Sequence, residues 1–171
     1  MDKKKRNILI AALVLVVLAA AIAVLAVLNR PGELPDSGSV AIRRGDEVLR
    51  TYTTAELKTL PAVEVEKELV SSSFANDAGL FRGVALRALL ADAGVDVGAL
   101  TQIVVRSEDG FVAAYPADEV AESDGIFLAY SKDGEPLGDR ESGVSGPLRI
   151  VVTEDEFGNR CAKYVSEIEV K

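Results

Sequence analysis

The chain has 171 residues, with 19 basic side chains, 27 acidic side chains, one cysteine and no histidine. The 14 basic and 26 acidic side chains of residues 31–171 give this part a formal charge of −12, which argues against nucleic acid as a partner because it repels phosphates. A single cysteine excludes an intramolecular disulfide, and the missing histidine removes the commonest base of a serine hydrolase and a common zinc ligand.

The first thirty residues predict a membrane anchor. A basic cluster at residues 3–6 precedes 21 consecutive residues, 8–28, without a charged or polar side chain. About 20 apolar residues cross a bilayer as a helix, whereas a cleavable signal peptide has an apolar region of about 7–15 residues, which leaves a cleaved signal as the alternative. The basic cluster predicts that the N-terminus is cytoplasmic. The predicted organisation is a cytoplasmic segment 1–7, a transmembrane helix 8–28, a linker 29–38 and an extracytoplasmic domain 39–171.

The next elements predicted along the chain are a hairpin, a short helix and a strand. The hairpin joins strands at 39–43 and 47–52, and Thr54 is a candidate N-cap for a helix that ends before Pro61. Valine and glutamate alternate over 63–69, which is typical of a strand with one wet face. This run stops at three serines, residues 71–73, and we expect a small polar loop to follow them.

The clearest helix follows Gly83. Leu86, Leu89 and Leu90 share one face, and Gly94 is the expected left-handed cap. Further strands are predicted at 102–106, 111–115, 126–130, 147–152 and 163–170, with a short helix at 116–120 and a tight turn at 132–135. Because strands outnumber short helices, the predicted class is α+β with a mixed, largely antiparallel sheet.

Local motifs for common catalytic and metal sites do not occur. The serines lack a histidine base, and neither Ser-x-x-Lys nor G-x-S-x-G is present. The acidic segments 133–141 and 153–159 do not match the twelve-residue calcium loop, so we interpret them as solvated turns. We expect Cys161 to be buried in a strand.

Five segments, in order, resemble the molybdopterin-binding domain of the sulfite oxidase family, and in particular its short membrane-tethered prokaryotic versions. They are FRGVALRALLADAGV (81–95), VVRSEDGFVAAYPADEV (104–120), IFLAYSKDGEPL (126–137), GPLRIVV (146–152) and KYVSEIEV (163–170). The resemblance covers most of residues 60–171. It implies an α+β fold with a mixed sheet and a cofactor pocket at loop ends.

The resemblance also implies which residues would contact a cofactor. Catalytic relatives hold molybdenum through two pterin sulfurs and a cysteine upstream of the segment that resembles residues 81–86. Here that region, 69–74, offers serines, and Ser72 is the candidate by position. Arg82, Arg149 and Lys163 lie in matching segments and are the candidate cofactor-binding cations. Cys161 lies too far along the chain to replace the missing ligand.

The leading hypothesis is therefore a membrane-anchored, extracytoplasmic domain of this fold that lacks the thiolate and acts as a binding module for a small ligand or an envelope protein. On this hypothesis no metal ligand or catalytic residue is assigned and no cofactor is expected, although the resemblance allows molybdopterin. One alternative is an active molybdopterin-dependent oxidoreductase that uses a serine in place of the cysteine. Another is an interaction domain without a small ligand.

Overall fold

The computed structural model describes residues 13–22, 24, 38–70, 77–138 and 146–171. The chain divides into two units, Met1–Glu33 and Leu34–Lys171. In the first unit, residues 13–22 are helical (α1). Within the described ranges, no helix combines the length and the apolar character needed to cross a bilayer. The predicted span 8–28 extends outside those ranges and stays a prediction.

The second unit is built mainly from short strands. Its strands are β1 (Ser39–Arg44), β2 (Glu47–Thr53), β3 (Ala62–Leu69), β4 (Asp77–Ala85), β5 (Gln102–Ser107), β6 (Val112–Pro116), β7 (Ile126–Lys132), β8 (Glu135–Pro136), β9 (Arg149–Val152) and β10 (Val165–Val170). Its helices are α2 (Thr54–Leu57), α3 (Leu86–Asp92) and α4 (Ala117–Glu122), with 3-10 turns at Val97–Ala99 and Gly158–Arg160. The predicted α+β class is confirmed.

The described strands form two sheets rather than the single sheet predicted. The first has the order β2-β1-β10-β5-β6, and the second has the order β3-β4-β7-β8 with β9 also paired to β7. β1 and β10 are parallel, whereas the other paired strands are antiparallel. Strand patterns in a sequence identify strands but not their partners, so the division into two sheets was not predictable from them.

One hydrophobic core connects both sheets with α3. Ile42, Ile103 and Ile168 enter it from the first sheet, and Phe81 and Phe127 enter it from the second. The predicted apolar face of α3 is confirmed, because its three leucines are fully buried. The helix ends as expected at Gly94, where φ is +77°, and Val95 donates to the carbonyl of Leu90 to close the turn.

Helix α2 begins one residue earlier than predicted. Its N-cap is Thr53, not Thr54, because the hydroxyl of Thr53 accepts from the backbone N–H of Glu56 while the Glu56 carboxylate accepts from the backbone N–H of Thr53. Glutamate three residues after threonine is the spacing of this reciprocal capping box. Thr54 instead donates its hydroxyl proton to the carbonyl of Gly38 at 2.8 Å.

The predicted loop before Gly83 is wrong over most of its length, because β4 occupies Asp77–Ala85. Gly79 and Gly83 make this strand hard to predict from the sequence, because glycine has a low strand propensity. Their small size is nevertheless needed for packing. A Cβ on Gly83 would lie 2.2 Å from the carbonyl oxygen of Leu128 and 2.6 Å from Cα of Ala129. Gly83 therefore lets β7 approach β4 closely at an irregularity in their register.

The last strand starts at Val165 rather than at residue 163. Tyr164 precedes it with a φ of +55°, a left-handed conformation that a strand residue does not adopt. Here Tyr164 lies directly against Gly146, where an added Cβ would meet its ring and backbone. Ile168 and Val170 in this strand are both buried.

Replacing Gly83 with alanine is expected to destabilise the domain by about 2–4 kcal/mol, because the new methyl group meets backbone atoms that cannot rotate away. Urea unfolding followed by circular dichroism measures the change. Gly158→Ala is the matched control, since its Cβ would make only ordinary contacts at 3.6 and 3.7 Å. Equal stability of the two variants would contradict the close approach of β4 and β7.

Candidate functional site

Three strands of the second sheet bring Asp77, Lys132 and Arg149 together. Asp77 is the first residue of β4, Lys132 the last of β7 and Arg149 the first of β9. The carboxylate of Asp77 accepts from Lys132 Nζ through Oδ1 and from Arg149 Nη1 through Oδ2, each at 2.5 Å. One carboxylate thus binds two cations from two other strands. We call these three residues the Asp77 cluster.

Local sequence explains how Lys132 reaches this position. Residues alternate between the faces of β4, so Asp77, Gly79 and Phe81 lie on the same face. A Cβ on Gly79 would lie 2.3 Å from Cε of Lys132 and 2.6 Å from a carboxylate oxygen of Asp133. The absence of a side chain at Gly79 therefore leaves the space that Lys132 crosses to meet Asp77.

The turn after β7 holds Lys132 in place. Asp133 and Gly134 both have positive φ, at +53° and +85°, as in the two-residue hairpin turns that match strand twist. The Asp133 carboxylate accepts from the backbone N–H of Leu80 at 2.9 Å, and the Asp133 N–H donates to the carbonyl of Leu80. The predicted tight turn is confirmed, and it fixes the end of β7 against β4.

The electrostatics of the cluster keep Asp77 ionised. Its partial burial would raise its pKa, but hydrogen bonds from Lys132 and Arg149 together lower the pKa below the usual value. The side chain of Arg149 is only 5% exposed, whereas those of Asp77 and Lys132 are each 27% exposed. A buried guanidinium needs an anion to offset its lost hydration. The Asp77 carboxylate is the anion that pairs with Arg149 here.

An aromatic ring lies against both cations. The guanidinium carbon of Arg149 lies 5.7 Å from the centre of the Phe81 ring, and Lys132 Nζ lies 5.8 Å from it. These distances are within the range of cation–π attraction. Phe81 is fully buried, so it forms an apolar wall behind the Asp77 cluster.

The structure does not bring Arg82 to this cluster. Arg82 follows Phe81 in β4 and therefore points to the opposite face. There its Nη1 donates to Glu64 at 2.6 Å and its Nε donates to the hydroxyl of Tyr130 at 3.2 Å. Arg82 and Arg149, both predicted to hold a cofactor, are therefore separated by the sheet, and each contacts a carboxylate of this chain.

Lys163 and Ser72 are the other two residues predicted to contact a cofactor. Lys163 is exposed and forms an isolated antiparallel bridge with Arg149 through the backbone. Ser72 lies outside the described residues. Asp77 directly follows segment 71–76 in the sequence, so the candidate cofactor residue Ser72 is close to the Asp77 cluster along the chain.

Cys161 is buried as predicted, but it lies between the second 3-10 turn and β10 rather than in a strand. Its Sγ accepts from the backbone N–H of Val152 at 3.4 Å. Burial is the main cause of the raised pKa of this thiol, and nearby Arg149 and Lys67 offset only part of the effect. Cys161 is therefore a protonated thiol near neutral pH, and metals bind the thiolate form.

Sequence patterns also gave no signal for a second charge cluster, centred on Arg160. Its guanidinium donates to both carboxylate oxygens of Glu119, at 2.7 and 2.8 Å, and to the carboxylate of Asp155. The carbonyl of Arg160 accepts from the hydroxyl of Tyr115. Asp155, in an acidic segment considered for calcium, thus pairs with an arginine of this chain.

A cleft of about 430 Å³ lies elsewhere, beside the start of α3. It is lined by Pro61, Ala62, Val63, Ala85, Arg87, Ala88, Ala91 and Asp124. Arg87 and Asp124 form an ion pair there at 2.6 Å. Neither Arg82 nor Arg149 lines this cleft, so it does not unite the predicted cofactor residues.

The family model for the oxidoreductase molybdopterin binding domain matches residues 35–171. The chain belongs to this family. The match covers all the described strands, including β4, β7 and β9, which form the Asp77 cluster. The predicted sulfite oxidase-type resemblance is therefore confirmed.

A solved structure shares the molybdopterin-binding fold. The crystal structure of the sulfane dehydrogenase SoxCD from Paracoccus pantotrophus matches with a TM-score of 0.63 and 18% identity, over 77% of this chain and 37% of that chain. The chain thus spans well under half the length of that protein, and the likeness establishes the fold alone. A comparison with curated proteins found no significant match.

The described residues do not fit a catalytic molybdenum centre. The single thiol of the chain, Cys161, is buried and its pKa is raised, so it does not offer a thiolate as a metal ligand. The candidate cations Arg82 and Arg149 already bind the carboxylates of Glu64 and Asp77. Within the described ranges, no group of three or more Cys, Asp or Glu side chains is arranged to hold a metal ion.

Asp77→Asn is expected to destabilise the domain by roughly 1–3 kcal/mol at pH 7, less than the loss of a fully buried pair because Asp77 is partly exposed. The folded pKa of Asp77 is lowered, so its ionised form stabilises the fold above the unfolded pKa of about 3.9. This contribution is lost as the pH falls through the folded pKa. Urea unfolding of both chains should show a gap at pH 7 that narrows below about pH 4. A constant gap would contradict ionisation of Asp77.

Cys161 should react slowly with 5,5′-dithiobis(2-nitrobenzoic acid) in the folded protein, because burial protonates and shields the thiol. Adding denaturing urea should expose one thiol for each chain, since the sequence contains a single cysteine. Absorbance of the released chromophore measures both rates. Equal rates with and without urea would show that Cys161 is accessible.

Proposed function

We propose that this chain is a non-catalytic binding module that retains the molybdopterin-binding fold without the molybdenum chemistry. The observation that carries the proposal is the ion pair between Asp77 and Arg149 at 2.5 Å. Arg149 is a candidate cation for a cofactor anion, and a carboxylate of the same chain holds it. The fold of a domain does not by itself carry an activity, so the function is argued from this site.

The sulfur and oxygen atoms that could bind a metal, those of Cys161 and the serines at 71–73, also support a non-catalytic role. A thiolate is a soft ligand that stays deprotonated on a metal, whereas an ordinary serine hydroxyl is neutral and coordinates weakly. The segment 71–73 contains serines only, and Cys161 has a raised pKa. A molybdenum ion at this position would therefore have no ionised protein ligand from these groups.

The charge of the domain points in the same direction. Residues 31–171 carry a formal charge of −12, which opposes the approach of a phosphorylated cofactor. Arg160, like Arg82 and Arg149, is paired with carboxylates of this chain. The module would therefore bind a small ligand or an envelope protein rather than a large polyanion.

We place this module outside the cytoplasm. The basic cluster at 3–6 and the apolar run 8–28 support a single anchor with a cytoplasmic N-terminus. A domain of high negative charge would remain away from anionic lipid surfaces while the anchor holds it at the membrane. Partners would then be other components of the cell envelope.

Metal analysis of the full chain, purified from membranes of its native host, tests the proposal. We expect molybdenum far below one ion for each chain, because the donor set lacks a thiolate. Stoichiometric molybdenum that disappears in the Ser72→Ala chain would overturn the proposal and establish serine ligation. Ser37→Ala is a matched control for serine loss outside this segment. Oxidation of sulfite by the same preparation would also contradict a non-catalytic role.

A further inference from the structure

We infer that the outer edge of β3 is a docking site for an extended segment of a partner protein, one that carries basic side chains on one face and apolar side chains on the other. The inference rests on the proposed binding function and specifies the chemistry of the partner. β3 lies at the end of the second sheet, and among the described strands only β4 pairs with it. The backbone N–H and C=O groups on the outer side of an edge strand can pair with an added strand.

The two faces of β3 differ in chemistry. Glu64 and Glu66 are exposed on one face, whereas Val63 and Val65 are half-buried on the other face, where they pack against the core. Because side chains alternate along a strand, the residues of an added strand lie next to these same two faces in turn. A matching partner therefore places basic residues beside the glutamates and apolar residues beside the valines.

The charge of the glutamate face favours a basic partner over a second copy of this chain. Arg82 of β4 forms an ion pair with Glu64, but the residue opposite Glu66 in the register is the exposed Leu80. Opposite charges on neighbouring strands attract each other, and like charges repel. Pairing β3 with β3 of a second copy brings glutamates next to glutamates, so these residues oppose self-association while they attract a basic segment.

The cleft beside α3 lies at the start of this edge. It is lined from the start of β3 by residues 61–63 and from α3 by Ala88 and Ala91. Its volume of about 430 Å³ leaves room for an apolar side chain from an added strand. Strand addition gains affinity from backbone hydrogen bonds and specificity from pockets for alternate side chains. The cleft is such a pocket, because Val63 of the apolar face lines it.

Contacts within the chain already occupy the other end of β3. Lys67 Nζ donates to the carbonyls of Thr153 and Asp155 at 2.8 and 2.7 Å. Val70, the residue after β3, forms a parallel bridge with Phe157. The docking edge therefore comprises residues 62–66, and it matches a partner segment of about five or six residues.

Isothermal titration calorimetry of the full chain in a mild non-ionic detergent tests the inference with two capped hexapeptides. One alternates lysine and valine, and the other has three lysines followed by three valines. Both have the same composition and charge, but only the first places its lysines on one face of a strand. We expect the alternating peptide to bind on the order of tenfold more tightly. Equal affinities would show general attraction to an acidic domain and would overturn the inference.

Substitutions at exposed positions test each part of the site. Glu66→Lys should weaken binding of the alternating peptide on the order of tenfold, whereas Glu47→Lys makes the same charge change on β2, an edge strand of the first sheet, and should have a much smaller effect.

Ala91→Leu narrows the cleft and should also weaken binding, whereas Ala121→Leu makes the same change on the exposed face of α4 and should not. Circular dichroism checks the folding of each variant. An unchanged affinity in folded Glu66→Lys, or equal losses in it and Glu47→Lys, would overturn the inference. If Glu66→Lys does not fold, the comparison of the two peptides on the wild type decides.

Hydrogen–deuterium exchange measured by mass spectrometry locates the bound peptide. We expect the alternating peptide to slow exchange in residues 62–66 and to leave the edge strands β2 and β6 of the first sheet unchanged. Binding without protection of β3 would overturn the inference. Protection of β3 without peptide that grows with protein concentration would assign the edge to a second copy and would also overturn it.

Molybdenum is measured on the same preparations, so the two proposals fail separately. Stoichiometric molybdenum would overturn the non-catalytic role, whereas equal affinity for the two peptides would overturn only the docking site.

Discussion

The interaction between Asp77, Lys132 and Arg149 is the constraint on which the rest of the site depends. Arg149 is buried at the start of β9, and a buried guanidinium requires an anion. Asp77 supplies it from β4, and Lys132 adds a second cation from β7. The ion pairs therefore connect three strands at the start of β4, which directly follows segment 71–76 in the sequence.

The residues that build the fold are different from those that would ligate molybdenum. The core in which α3 packs with Phe81, Phe127 and Ile168 is built from hydrophobic side chains. A metal binds cysteine as the thiolate, and the single thiol of this sequence is buried, where it accepts a hydrogen bond from the backbone N–H of Val152. The proposed role follows from this separation: the fold supplies a rigid set of strand ends, and the residues on them set which ligands can bind.

Sequence patterns predicted the parts of the fold that depend on neighbours along the chain. The leucine spacing identified α3, Gly94 identified its end, and Asp133-Gly134 identified the turn after β7. They failed at β4, because Gly79 and Gly83 lower strand propensity while close packing of Lys132 and Leu128 requires them. The Asp77 cluster was also missed, since Asp77 and Arg149 are separated by 72 positions. Resemblance identified Arg149, but only the register of β4, β7 and β9 identifies its partner.

Carbon-13 NMR of the Asp77 carboxyl group tests most directly whether this carboxylate is the counterion of both cations. Its resonance is assigned by comparison with the Asp77→Asn chain, and its chemical shift is followed during acid titration. The account predicts a midpoint below the ordinary aspartate pKa of about 3.9, because Lys132 and Arg149 hydrogen-bond to the ionised form. A midpoint at or above the ordinary value would show that Asp77 is not held between the two cations, and would contradict the account.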